Sequence, residues 1–164
     1  MNSAKPTRVL FVCLGNICRS PTAHGVFAAM VQEKGLEQLI SIDSCGTGDW
    51  HIGHAPDRRA AAEAAQRGYD LSKLRARQVE PQDFEDFDYV LAMDNQNLAD
   101  LRAMCPADFS GFLGLFLPFD QSASMTEVPD PYYGGDEGFS EVLDMVEAAG
   151  KGLLEDICGA NTAR

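Results

Sequence analysis

Apolar residues in this chain follow two rhythms, short β-branched or aromatic runs and longer stretches spaced three to four residues apart. Arg8-Val9-Leu10-Phe11-Val12 is a run of the first kind and predicts a buried strand. Gly15-Asn16 breaks it with a tight loop. Ser20-Pro21 then reads as a helix start, with serine to cap free amides and proline suited to the first helical position. Val26, Phe27, Met30 and Val31 recur at helical spacing up to a stop at Gly35. Leu39 to Asp43 predicts a second strand, and Asp57 to Arg67 an alanine-rich helix closed by Gly68. Phe87 to Ala92 predicts a third strand, followed by a helix over Asn95 to Met104. Phe112 to Leu117 is the candidate fourth strand. Phe139 to Ile157 predicts a terminal helix with Val142, Leu143, Val146, Leu153 and Leu154 on its apolar face.

Strands alternating with helices imply an α/β fold, an open parallel sheet with helices on both faces. Ligands of such sheets bind outside the carboxyl ends of the strands, and Cys13 sits at the end of the first. The segment Pro118–Gly138 has little periodicity and holds Pro129, Pro131, Gly134 and Gly135. Loops of that length in compact domains are often functional.

Composition narrows the chemistry. The chain has 164 residues, 45% hydrophobic and 23% charged, which fits one domain over residues 1–164 with a real core. Its apolar runs are too short to cross a bilayer, and its first residues lack a secretory pattern, so the expected location is cytoplasmic. A formal charge of −12 argues against nucleic acid and against anionic membrane surfaces. A phosphate-bearing substrate would then have to be attracted by a local field. The five cysteines do not form a disulfide framework. They suit a reducing compartment and leave at least one thiol for chemistry, with Cys45, Cys105 and Cys158 as incidental thiols.

The local field has a candidate in Cys13-Leu14-Gly15-Asn16-Ile17-Cys18-Arg19-Ser20-Pro21. A loop between a strand and a helix can turn successive amides inward as an anion nest, and the helix N-terminus adds its dipole. Arg19 can hold two phosphate oxygens with its planar fork. Cys13, at the mouth of that field, would be kept as the thiolate that attacks phosphorus. Amides and arginine supply the positive charge, so neither a metal nor another cofactor is expected. Asn16 tolerates left-handed dihedrals and can bridge the loop. Ser20 can cap amides and also hydrogen-bond the Cys13 sulfur. Trp50, Tyr132 and Tyr133 are candidate walls for an aromatic ring. Asp130-Pro131 is, from the residues alone, a turn signal.

Cys13 to Pro21 resembles the phosphate loop of the low-molecular-weight protein tyrosine phosphatases. The likeness extends through Ser44 to His51, Phe84 to Asp94, and Asp130-Pro131-Tyr132-Tyr133. It implies a single-domain four-stranded parallel sheet and metal-free hydrolysis of protein phosphotyrosine through a cysteinyl-phosphate. It also implies Asp130 as general acid, Ser44 as a support for the loop, and Cys18 as a redox partner that traps oxidised Cys13. Phosphotyrosine proteins, including autophosphorylated tyrosine kinases, would be the partners of a monomer. Two positions depart from the pattern. His24 stands where the family more usually has an acidic residue and reads as a surface or boundary side chain. Leu74 stands where the family often has a histidine that supports the loop. His51 and His54 lack further ligands for a metal.

Three other functions compete. Arsenate reductase would need two more cysteines able to relay a disulfide, and only Cys105 is near. A protein-arginine phosphatase carries threonine where this chain has Ile17, whose apolar bulk favours phosphotyrosine. A phosphopeptide-binding module would leave Cys13 and Asp130 without a task.

Overall fold

Residues 5–132, 134, 135 and 137–162 are described in a computed structural model of the chain. Four strands, β1 (Thr7–Cys13), β2 (Ile40–Gly46), β3 (Tyr89–Ala92) and β4 (Phe112–Leu115), form one parallel sheet in the order β2-β1-β3-β4. Five helices accompany them: α1 (Arg19–Glu33), α2 (Arg58–Gln66), α3 (Asp83–Asp86), α4 (Asn95–Met104) and α5 (Glu137–Thr162). A short 3-10 turn, Leu117–Phe119, follows β4.

The strands are apolar on both sides because both faces are covered. Val9, Phe11 and Leu91 face α1 and α5, with Val26, Phe27, Val142, Val146 and Leu153 in the same core. Leu10, Val12 and Val90 face the other way, against Phe84 of α3 and Leu98 and Leu101 of α4. Phe11 anchors the first layer through edge-on contacts with Phe27 at 5.8 Å and Phe116 at 5.0 Å between ring centroids. At Gly152 of α5, a Cβ would stand 1.8 Å from the Phe119 carbonyl oxygen, so only glycine lets the 3-10 turn close on the helix.

The sequence pattern anticipates these four strands and four of the five helices, with differences of physical origin. The first helix begins at Arg19, one residue before Ser20-Pro21, and Cys18 at its N-cap makes no side-chain capping bond. The Ser20 hydroxyl is engaged elsewhere, as described below. β3 spans Tyr89–Ala92, with the ladder already reached at Asp88, whose amide donates to Arg8 O at 2.9 Å and whose carbonyl accepts from Phe112 N at 2.8 Å. β4 ends at Leu115 because Phe116 enters the 3-10 turn. The helix α3, only four residues long, has no apolar period and is unmarked in the pattern.

β1 is flanked by β2 and β3, and its last residue, Cys13, pairs with Gly46. The chain leaves the sheet at this switch point, where open α/β sheets place their ligands.

Candidate active site

Residues 13 to 19 pass from β1 into α1 over a floor with no side chain. A Cβ on Gly46 would stand 2.7 Å from Leu14 O and 3.1 Å from Asn16 N, so glycine is what lets the loop lie so close. The loop carbonyls are turned outward: Cys13 O accepts from Thr47 N at 2.9 Å, Leu14 O from Gly48 N at 2.9 Å and Ile17 O from Asp57 N at 2.8 Å. Asn16 adopts a left-handed φ of 57°, the bend that its side chain tolerates. Its Oδ1 accepts from Arg77 N at 3.0 Å, and its Nδ2 donates to Ser20 Oγ at 2.8 Å. The start of α1 is thus left uncapped beside a bend of the anion-binding kind.

Cys13 Sγ lies in this bend, buried to 2% exposure. It is 3.0 Å from Ser20 Oγ and accepts from the Asn16 amide at 3.3 Å. The sulfur thus has two polar neighbours, one from the loop and one from the first turn of α1. The Ser20 hydroxyl also reaches Cys45 O at 3.3 Å, which explains why it does not cap the helix. Arg19 is likewise buried at 2% exposure. Its Nη1 donates to Asp94 Oδ2 at 2.6 Å and to Val128 O at 3.0 Å, and its Nη2 lies 3.8 Å from Asp130 Oδ2. Burial opposes the Arg19 charge, but the Cys13 sulfur, Asp94 and Asp130 outweigh it and raise the guanidinium pKa.

Cys13, Leu14, Gly15, Ile17, Cys18, Arg19, Trp50, Asp130 and Tyr132 together line a cavity of about 60 Å³. Trp50 is 66% exposed and Tyr132 37%, so both stand at the rim as open faces. Tyr133 lies outside the described residues. A larger open groove of about 990 Å³ runs between β4, the 3-10 turn and α5, but its lining of Phe112, Phe119, Lys151 and their neighbours includes neither a cysteine nor an arginine. Cys18 is buried near Cys13; burial first, then Asp57 and Cys13, push its thiol well up. Cys45 is fully buried, whereas Cys105 and Cys158 are half-buried.

Ser44 is buried, but its hydroxyl pairs with His24 Nδ1 at 2.9 Å. His24 does stand at the boundary, and burial lowers its pKa, with Asp43 acting against the shift. Leu74 packs against the core. The histidine that reaches Ser44 thus comes from α1. His51 and His54 lie tilted to each other with ring centroids 5.5 Å apart, and His51 packs against Gly15, where a Cβ would meet its ring at 2.9 Å.

Sequence reasoning missed several supports. Asp94 caps α4 by accepting from Asn97 N at 2.8 Å and holds Arg19 with its other oxygen. The signal was available, an aspartate between a strand and a helix, but its second partner lies 75 residues away. Arg77, whose amide steadies Asn16, is itself gripped by Asp83 at 2.9 and 3.1 Å and by Asp43 at 3.1 Å. Asp57 caps α2 and ties it to Ile17.

With this geometry in place, the chain can be set beside known proteins. A family model described as low molecular weight phosphotyrosine protein phosphatase matches residues 8–162. A low molecular weight protein-tyrosine-phosphatase of Streptomyces coelicolor is 46% identical over 90% of this chain and 91% of its own. A protein tyrosine phosphatase of Entamoeba histolytica, crystallised with Hepes in its active site, superposes with a TM-score of 0.91 at 39% identity, over 94% of this chain and 99% of that one. The Drosophila arginine phosphatase superposes with a TM-score of 0.85 at 30% identity, over 91% of this chain and 96% of that one.

Proposed function

This chain belongs to the low molecular weight phosphotyrosine protein phosphatase family, and from that premise we propose a course for its reaction on protein phosphotyrosine. The Cys13 thiolate attacks phosphorus, the phosphorus–oxygen bond to the phenol breaks, and Asp130 gives its proton to the leaving oxygen. Asp130 then takes a proton from water, which attacks the cysteinyl-phosphate and releases phosphate and the thiolate. The loop amides of residues 14 to 19 and the Arg19 fork hold the equatorial oxygens as charge moves. Ser20, 3.0 Å from Cys13, stabilises the departing sulfur. The observation that carries this reading is a buried sulfur held by Ser20 and the Asn16 amide in one small cavity with Arg19 and Asp130.

Selectivity follows from the same cavity. Trp50 and Tyr132 at its rim suit the two faces of a phenyl ring, and Ile17 gives an apolar inner wall. A shorter phosphoserine would leave its phosphorus away from Cys13. Ser44 supports the loop through its strand, where it pairs with Phe11. Arginine phosphate is the second reading, because a solved arginine phosphatase shares the fold. A panel of peptides phosphorylated on Tyr, Ser, Thr or Arg separates the two, run on the wild type and on Asp130→Ala. Phosphotyrosine is expected to be turned over best. Asp130→Ala is expected to lower that turnover by about 10²–10⁴-fold with affinity kept. Preference for phosphoarginine would reject the tyrosine assignment, and unchanged turnover in the variant would remove the acid role.

No described helix is long and apolar enough to cross a membrane. The reading is completed by one catalytic domain over residues 1–164, acting as a monomer in the cytoplasm on tyrosine-phosphorylated proteins such as autophosphorylated kinases. Neither nucleic acid nor a membrane is among its partners. No metal or other cofactor enters the scheme.

Cys18 supplies a redox guard. Its elevated pKa keeps it a thiol beside the more reactive sulfur. Peroxide would oxidise Cys13 to the sulfenic acid, and Cys18 would displace water to form a disulfide. Mild peroxide is expected to yield a Cys13–Cys18 crosslink in peptide mass mapping. Sulfinic Cys13 with Cys18 unmodified would reject the guard.

A further inference from the structure

We propose that Arg59 is a positioning residue for the general acid, linking the loop that carries Asp130 to the phosphate loop and so fixing where the acid sits over Cys13. The proposal rests on the reading of Asp130 as the acid. Arg59 is the second residue of α2 and itself lies outside the cavity lining. Its Nε and Nη2 each reach the Asp57 carboxylate at 3.2 Å, a forked pair on the helix's own cap. From there Nη2 donates to Tyr132 O at 3.0 Å. The guanidinium also sits between two rings, 4.7 Å from the centroid of Phe139 and 5.4 Å from that of Tyr132.

These contacts form a continuous path. Ile17 O in the phosphate loop accepts from the Asp57 amide at 2.8 Å. Asp57 holds Arg59, Arg59 holds the Tyr132 backbone, and the Tyr132 amide donates to Asp130 Oδ1 at 3.0 Å. Phe139, in the first turn of α5, closes the other end of the acid loop on the same guanidinium. The described residues between Val128 and α5 are irregular and mostly exposed, and their own short-range bonds, such as Gly134 N to Pro131 O at 3.1 Å, tie the loop to itself and not to the cavity. A planar fork flanked by two rings fixes its height over the cavity. Lysine would keep the charge but lose both the spread of donors over separate nitrogens and the flat stacking surface.

The leaving-group dependence of kcat/KM separates positioning of the acid from general support. Phosphotyrosine peptide and phenyl phosphate need their leaving oxygen protonated, whereas dinitrophenyl phosphate departs as a stable anion. In Arg59→Met, kcat/KM for the first two is expected to fall by about 10-fold to 10²-fold, with dinitrophenyl phosphate within about threefold of wild type. Arg59→Lys is expected to fall in between, and both variants are expected to melt in a single cooperative transition. An equal loss for every leaving group would overturn the proposal, as would no loss at all. If Arg59→Met does not fold, the same criterion applies to Arg59→Lys. Asp130→Ala in the same series keeps the two claims apart. Without leaving-group dependence in Asp130→Ala, the acid assignment fails; with it there but absent in the Arg59 variants, only the role of Arg59 fails.

Discussion

Cys13→Ser is expected to remove phosphatase activity, lowering turnover of p-nitrophenyl phosphate on the order of 10⁴-fold or more. The cause is the ionisation state of one atom. The Ser20 hydroxyl at 3.0 Å and the Asn16 amide at 3.3 Å can hold a thiolate, but a serine hydroxyl is far too weak an acid to be ionised by the same partners. Serine is slightly smaller than cysteine and offers them the same hydrogen bonds, so the loop keeps its shape. Inorganic phosphate should therefore still bind, which distinguishes loss of the nucleophile from collapse of the loop. A variant with wild-type turnover would show that Cys13 does not attack phosphorus.

Arg19→Lys is expected to cost about 10²–10³-fold in turnover, although the formal charge is unchanged. Arg19 has three tasks at 2% exposure: it bonds Asp94 at 2.6 Å and Val128 O at 3.0 Å, and it faces the cavity beside Asp130 at 3.8 Å. A planar fork can do all three because its donors point along different edges. A lysine ammonium is a single point at the end of a flexible stem. If it satisfies Asp94 it leaves the oxyanion, and if it reaches the oxyanion it leaves a half-buried carboxylate without its partner. Steady-state kinetics on the aryl phosphate checks this, and a rate within about threefold of wild type would rule out a bidentate clamp.

Much of this was legible in the chain, because the strands are apolar runs and the helices carry a 3.6-residue period. The phosphate loop was legible as well, since its chemistry is contiguous from Cys13 to Ser20. What stayed hidden depends on residues far apart in sequence. Ser20-Pro21 looks like a helix cap, but the hydroxyl is drawn off by Cys13, Asn16 and Cys45. His24 reads as a boundary residue, and only folding brings it from α1 to Ser44 on β2. Asp94 and Arg59 look like a helix cap and a surface charge. Their second partners, Arg19 and Tyr132, lie 75 and 73 residues away. Of the three aromatic candidates, Trp50 and Tyr132 line the cavity, and Tyr133 lies outside the described residues.

The central claim is that phosphate passes through the sulfur of Cys13. Rapid quenching of Asp130→Ala with radiolabelled p-nitrophenyl phosphate tests it most directly, because this leaving group needs little help and the second step still lacks its base. Label bound in near-stoichiometric amount to the peptide that carries Cys13 is the expected result. Nitrophenolate released with no label on the protein, or with label on another residue, would contradict it.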